Sequence, residues 1–462
     1  MVSRKFLATS TVMRDYKVNN PTKITTNPYA ITFEEDANNK DEAFWSIYRE
    51  TPLTSKDKRS FSEIEKIVNS ENIERRLGTK SNLSVGYFSV RAFDFDLTYP
   101  IKFNNFEGLR LGLGGVTNDS FSKRFRLEGY GAYGFRDAAF KFGLGSGVLL
   151  SPEKGMWLSA SYSNDLEEVG SFPYLTDRRV YSFFEPRLVN ITQFFYHKTA
   201  RANLEYRVTP QLLSEFQVAH RDIEQTIPYR YQVDNNIIRD YKITEATASF
   251  RWSPANRYLK TDNKAFPIYE GHPIISGQVS HSFDGLGGDL GFTRLGAKAF
   301  YKINQLNKSA TELLIEGNIA FGDVPITHLF HAYPNAPTKE TILQRFSVAG
   351  VNSFETMFFG EFFSDKLFTA QIKHRLKPFN FGKRFKPELV LISRFALGDI
   401  SNPEDHLDTS FDSLDKGYTE SGFELNRLIY AFGTSFTYRY GAYHLPNFGD
   451  NIAFKFTFNQ KL

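Results

Sequence analysis

The sequence predicts an all-β protein: a transmembrane antiparallel β-barrel of about sixteen strands, preceded by a short N-terminal periplasmic segment containing one helix. Strict alternation is the first observation. Ile452, Phe454, Phe456 and Phe458 share one face of a strand, and Ala453, Lys455, Thr457 and Asn459 share the other. The second is charge on the polar face of strand after strand, as where Ala202, Leu204, Tyr206 and Val208 interleave with Arg201, Asn203, Glu205 and Arg207. A wall between lipid and a watery lumen needs both kinds of face; the core of a soluble sandwich does not. The third is that no run of about 18 apolar residues exists, which excludes a helical span. The mean hydropathy of −0.38 is what alternating strands average to.

The β-periodicity runs through the last four fifths of the 462 residues, so one large unit is expected: residues 82–462 as the barrel and 1–81 as a periplasmic connector. Aromatic residues make up 16%, with 46 Phe and 24 Tyr, which suits strands and the girdles at membrane interfaces. Cysteine is absent, which removes disulfides and thiolate metal sites. With 56 basic against 52 acidic residues, net +4, there is no long-range field to recruit nucleic acid, and that partner class is rejected. The opening Met1-Val2-Ser3-Arg4-Lys5 leads into no sustained apolar core, a poor secretory signal that reads as a trimmed or partial chain.

Within 1–81, Thr54 and Asp57 fit a capping box. Phe61, Ile64, Ile67 and Val68 then recur at helical spacing, an apolar stripe expected to pack on a neighbouring domain or the barrel mouth. Strands are predicted near 82–93, 107–117, 122–135, 138–150, 155–164, 196–208, 211–223 and 240–253. A second set follows near 271–283, 291–303, 310–321, 363–376, 387–398, 417–425, 430–440 and 451–460. Short connections fall on the periplasmic side, and long ones near 165–195, 224–239, 322–362, 399–416 and 441–450 on the outer side, the asymmetry of outer-membrane barrels. The tight Arg136-Asp137 turn and the long Pro254–Glu270 connection break that sorting.

Several words of the sequence carry a resemblance: Trp45–Thr54 (WSIYRETPLT), Gly108–Asn118 (GLRLGLGGVTN), Phe125–Gly134 (FRLEGYGAYG), Phe140–Gly143 (FKFG), Tyr438–Tyr443 (YRYGAY) and Asn451–Phe458 (NIAFKFTF). In this order they resemble the uncharacterised Bacteroidota-type outer-membrane β-barrel family that usually follows a carboxypeptidase-regulatory-like domain. More distantly the chain resembles the surface-antigen, outer-membrane-assembly barrel superfamily, whose members have sixteen strands and a long sixth outer loop. That resemblance implies a role in assembling outer-membrane proteins or secreting a polypeptide. Here the corresponding loop, Gly322–Phe362, reads Arg345-Phe346-Ser347-Val348-Ala349-Gly350 and lacks the superfamily's Arg-Gly-aromatic tip.

Strand phase assigns Arg126, Glu128, Lys141, Arg201, Glu205, Arg207, Arg251, Lys298, Glu312, Glu316, Lys373, Arg375, Arg394, Arg439 and Lys455 to the lumen. There they serve as a selectivity lining or, the preferred reading, as ion pairs between neighbouring strands. Leu109, Leu111, Leu113, Leu204, Tyr206, Phe454, Phe456 and Phe458 are assigned to lipid. His328 and His331, close to Asp323, are weak candidates for a divalent ion, but no helix fixes them on one face, so no metal is assigned. The acidic residues Asp399, Glu404, Asp405, Asp408, Asp412 and Asp415 match no calcium-loop spacing and read as a solvated loop. Loop 322–362 is expected to fold inward as a plug, on its length and on Phe330, Tyr333, Phe346 and Phe354.

No nucleophile elbow surrounds His220 or His281, and the glycines of Leu111–Gly115 precede no helix, so neither hydrolysis nor phosphate binding is favoured. Glycines in strands relieve crowding instead. The expectation is a non-enzymatic, cofactor-free outer-membrane barrel of a diderm bacterium, both termini periplasmic, partnered by the lipid bilayer and by an envelope protein complex. An outer-membrane hydrolase and a soluble carbohydrate-binding β-sandwich array are the alternatives.

Overall fold

The computed structural model describes residues 28–33, 36, 40–49, 51–70, 82–179, 181, 187–261, 264–337, 347–382 and 386–458. After β1 (Tyr29–Thr32) come α1 (Glu42–Tyr48) and α2 (Ser55–Ser70). Three short strands, β2 (Tyr87–Val90), β3 (Phe93–Asp96) and β4 (Ile101–Asn104), lead into β5 (Gly108–Thr117), β6 (Phe125–Gly134), β7 (Ala139–Ser151), β8 (Met156–Glu168), β9 (Phe194–Thr209) and β10 (Leu212–Gln225). β11 (Arg230–Val233) and β12 (Asn236–Ile238) precede β13 (Tyr241–Trp252); β14 (Arg257–Thr261) and β15 (Lys264–Tyr269) precede β16 (Ile274–Ser282). The remainder are β17 (Phe292–Asn304), β18 (Ala310–Gly322), β19 (Pro334–Ala336), β20 (Phe354–Phe358), β21 (Lys366–Arg375), β22 (Glu388–Asp399), β23 (His406–Leu407), β24 (Tyr418–Ile429), β25 (Phe432–Gly441) and β26 (Ile452–Phe458).

One large antiparallel sheet organises the chain. Its ladder runs β2, β3 with β4, β5 through β10, β13, β16, β17, β18, β21, β22, β24, β25 and β26, so nearly every long strand pairs with the next long strand in sequence. Short turns make this local pairing possible. At one of them Ala138 takes a φ of +51°, and Tyr430 takes +54° between β24 and β25.

The sequence pattern places the long strands close to their observed limits and misplaces the first. The segment 82–93 is not one strand: Arg91 adopts a φ of +53° and turns the chain, so that β2 pairs with β3. A second break follows, where the Asp96 carboxylate accepts the Thr98 N–H at 2.9 Å, and β3 and β4 then pair with successive stretches of β5. The glycines of β5 answer to crowding. A Cβ on Gly114 would lie 2.6 Å from the Tyr99 ring, and one on Gly112 2.7 Å from Ala132.

In the N-terminal segment the capping box is present in both directions. Thr54 N–H donates to Asp57 at 2.9 Å, and Asp57 N–H donates to the Thr54 hydroxyl at 3.2 Å. One expectation is corrected. The described residues of this segment hold two helices rather than one, the first capped by Asp41, whose side chain accepts the Phe44 N–H. Among the described residues no element covers the α2 stripe, and Phe61, Ile64 and Ile67 are all exposed. The side chain of Val68 lies outside the described residues, as do Met1–Lys5. The long 254–270 connection is structured: β14 and β15 form a hairpin, and β1 adds to it in parallel, with Phe33 N–H donating to the Lys260 carbonyl at 2.8 Å.

The two faces of the sheet differ. One is bare and carries exposed Leu109, Leu111, Leu113, Leu144, Phe216, Val218, Phe454 and Phe456. Against the other pack the described parts of two connections, 169–193 after β8 and 323–365 after β18, and the buried apolar cluster forms there. Phe172 and Tyr174 from the first meet Leu329 and Phe330 from the second, the Phe172 and Phe330 rings standing edge to face at 5.3 Å.

Candidate functional site

The loop-packed face is a field of buried ions held by facing strands and by the two connections. Alternation fixes which side chains arrive there, and register fixes who meets whom. Arg110 of β5 grips Asp165 of β8 with two bonds of 2.7 and 2.9 Å, and Tyr130 donates to the same carboxylate at 2.6 Å. Lys141 reaches Glu107 at 2.8 Å and also pairs with Asp137. Arg221 bridges Glu167 at 2.7 Å and Glu245 at 3.1 Å, and Arg294 approaches Glu245 at 3.5 Å. Burying these charges is costly unless each is paired, so the pairing is the condition for placing them there.

A second group ties the connections to the strands. Glu420 and Arg394 stand opposite each other on β24 and β22 and are bridged at 2.8 Å. The Glu420 carboxylate also accepts the backbone N–H groups of Glu355 and Thr356, at 2.9 and 3.0 Å. Glu355 is bridged to Lys455 of β26 at 2.9 Å, and Glu361 to Arg439 of β25 at 2.8 Å. Arg187 pairs with Glu168, which also meets His331 at 2.9 Å. Lys298 faces Glu316 in register yet is bridged to Asp177 of the first connection at 2.8 Å.

By strand phase the fifteen residues assigned to the lumen share this ionic face, and the eight assigned to lipid share the bare one. The structure brings Arg439, Lys455, Lys373 and Lys298 onto the connections, whereas Arg394 with Glu420 and Lys302 with Glu312 pair between neighbouring strands at 2.8 and 2.6 Å. Arg126 stacks over Trp157. Glu205 and Glu215 stand directly opposite. Arg201 donates to Ser163 at 3.4 Å and borders a cavity of about 400 Å³ lined by Tyr87, Tyr99, Glu128 and Arg179. Arg251 approaches Glu270 at 3.6 Å.

His328 and His331 do not converge. His328 shares a 2.8 Å hydrogen bond with Thr327, and burial holds its imidazole far below the ordinary value, at about 3. Both ring nitrogens of His331 are engaged, one by Glu168 and the other by the Tyr333 N–H at 3.1 Å. Among the described residues no three potential ligands gather. Of the aromatic residues expected to carry loop 322–362 inward, Phe330 and Phe354 are buried; Phe346 lies outside the described residues. The acidic loop does not stand free, since Asp408 pairs with Arg230 and Asp415 accepts from Tyr443 at 2.8 Å. Strand phase missed the first connection. Its signal was the apolar run Phe172-Pro173-Tyr174-Leu175 inside a loop, which has no reason to be in water.

The fold is similar to that of BamA from Haemophilus ducreyi, crystallised without POTRA domains 1–3, with a TM-score of 0.50 at 11% identity over 80% of this chain and 70% of that one. CdiB from Escherichia coli gives a TM-score of 0.42 at 9% identity over 78% of this chain and 62% of that one. No curated protein matches. The likeness is one of fold, an all-β chain resembling outer-membrane barrels. A family model matches residues 86–321, just over half of the chain, and the protein therefore belongs to the family of unknown function DUF5686, of which this stretch is the C-terminal domain.

Proposed function

We propose that the chain is a non-enzymatic outer-membrane β-barrel of about sixteen strands that serves transport, secretion or outer-membrane assembly, its barrel following a regulatory-like domain of a longer protein. The observation that carries this reading is the contrast between the two faces. A sheet that leaves Leu109, Leu113, Phe216 and Phe456 bare while burying Arg394, Arg439 and Lys455 is inside-out for water. It suits a bilayer outside and a polar lumen inside. On this reading the fifteen charged residues line the lumen, and the two inward connections fill it as a plug. The N-terminal segment, with β1 on the β14–β15 hairpin, lies in the periplasm with the C-terminus. The test is reconstitution. The folded protein is expected to migrate heat-modifiably, to require detergent and to insert into liposomes. A monodisperse protein in plain buffer that ignores liposomes would end the reading.

A further inference from the structure

The outer edge of β26 is not left open. Phe456 turns its N–H and C=O away from β25, and both are taken by the second connection: the N–H donates to the Ser347 carbonyl at 3.0 Å and the carbonyl accepts the Ala349 N–H at 2.8 Å. Val348 and Phe456 thus form a parallel bridge. Ser347–Ala349 covers this stretch of the β26 edge, which would otherwise be left unpaired.

Two asparagines hold this strap from behind. The Asn335 and Asn190 amides both donate to the Val348 carbonyl, at 3.1 and 3.3 Å, and Asn190 also donates to Asn335 at 2.8 Å. Asn335 in turn donates to Glu355 at 2.8 Å, the carboxylate bridged to Lys455 on the same β26. Just before Asn190, the turn Arg187–Val189 lies against β4, so the clamp reaches the first strands of the sheet as well. We infer that Ser347–Ala349 is a releasable latch that completes the wall beside β26, held by Asn190 and Asn335. It detaches before any wall strand, because two main-chain hydrogen bonds hold it whereas β25 meets β26 over seven registered pairs.

This rests on the barrel reading, and the experiment separates the two. The chain has no cysteine, so paired cysteines report cleanly. In full-length protein reconstituted in detergent, Val348→Cys with Phe456→Cys is expected to cross-link on mild oxidation, as is the reference pair Thr434→Cys with Phe456→Cys, opposed in register between β25 and β26. Adding Asn190→Ala and Asn335→Ala should lower the first yield at least fivefold and leave the second unchanged. Cross-linking of the reference pair alone overturns the strap and leaves the barrel standing; failure of both overturns both. A 348–456 yield indifferent to the asparagines overturns the latch. If the doubly substituted protein does not fold, Asn190→Ala alone, which leaves Glu355 and Lys455 in contact, reads the same effect.

Discussion

Arg394 and Glu420 face each other in register on neighbouring strands at 2.8 Å, and the carboxylate of that pair is also the docking point for the backbone of Glu355 and Thr356. One side chain thus joins two strands of the sheet to the second connection. Replacing Glu420 by Ala would leave a fully buried guanidinium without its counter-ion and two N–H groups without acceptors. The expected cost is about 3–5 kcal/mol, read as a shift in the urea midpoint of the folded, heat-modifiable form. Glu420→Gln keeps one of the two acceptor oxygens and sets an NH2 against the donors of the other, so it should cost less than Ala without being neutral.

The bare face makes a prediction of opposite sign at two adjacent positions of β9. Leu204→Arg puts a charge toward hydrocarbon and should cost about 2–4 kcal/mol in a bilayer. Glu205→Arg points the other way and meets Glu215 directly across the ladder. A like-charge pair becomes an opposite one, so stability should hold or rise by about 0.2–1 kcal/mol. Equilibrium unfolding in lipid vesicles distinguishes the two.

Gly422 of β24 has no room for a side chain, since a Cβ there would overlap the Phe436 carbonyl oxygen of β25. The obstacle is backbone, which cannot rotate away. Gly422→Ala is expected to destabilise by about 1–3 kcal/mol and to loosen the β24–β25 pairing, seen as faster amide exchange in both strands.

A pH response is expected where β11 and β23 meet outside the sheet. His406 is buried there beside Tyr229, Tyr231 and Phe411, and shares a 2.9 Å hydrogen bond with the Tyr229 hydroxyl. Burial lowers its imidazole from 6.5 to about 4. Between those values the unfolded segment binds the proton that the folded one refuses. Stability of this small sheet is therefore complete above about pH 6.5 and falls as pH drops toward about 4, by on the order of 3 kcal/mol at most. Proteolysis of the 400–417 loop at pH 7.5 and 4.5 reads the loss, and His406→Phe should flatten it.

The long strands were legible because each shows lipid-type residues on one phase and polar ones on the other, and a period of two survives in sequence whatever the strand pairs with. Lys455 and Arg439 could be assigned to a face from that alone. Their partners could not, because Glu355 and Glu361 come from a connection with no period. The broken first strand was hidden for a related reason: Arg91 is an ordinary residue in an unusual conformation, and the second turn is made by local hydrogen bonds from Thr98 and Tyr99 to Asp96. The N-terminal capping box was readable as a local rule, whereas β1 joins a hairpin more than two hundred residues away, which no local pattern encodes.

The interior has a consequence for how this molecule is made. Asn190 and Asn335 touch across 145 positions of sequence, and Phe172 and Phe330 meet over a similar span. Neighbouring ribbons zip up early and cheaply, but contacts of such reach form late. An ion such as Asp177 must likewise wait for Lys298, which lies on a strand far along the chain. The last step of maturation is then the docking of the two connections onto the sheet, and a nascent chain stalled before it would hold paired ribbons with one unfinished ionic face.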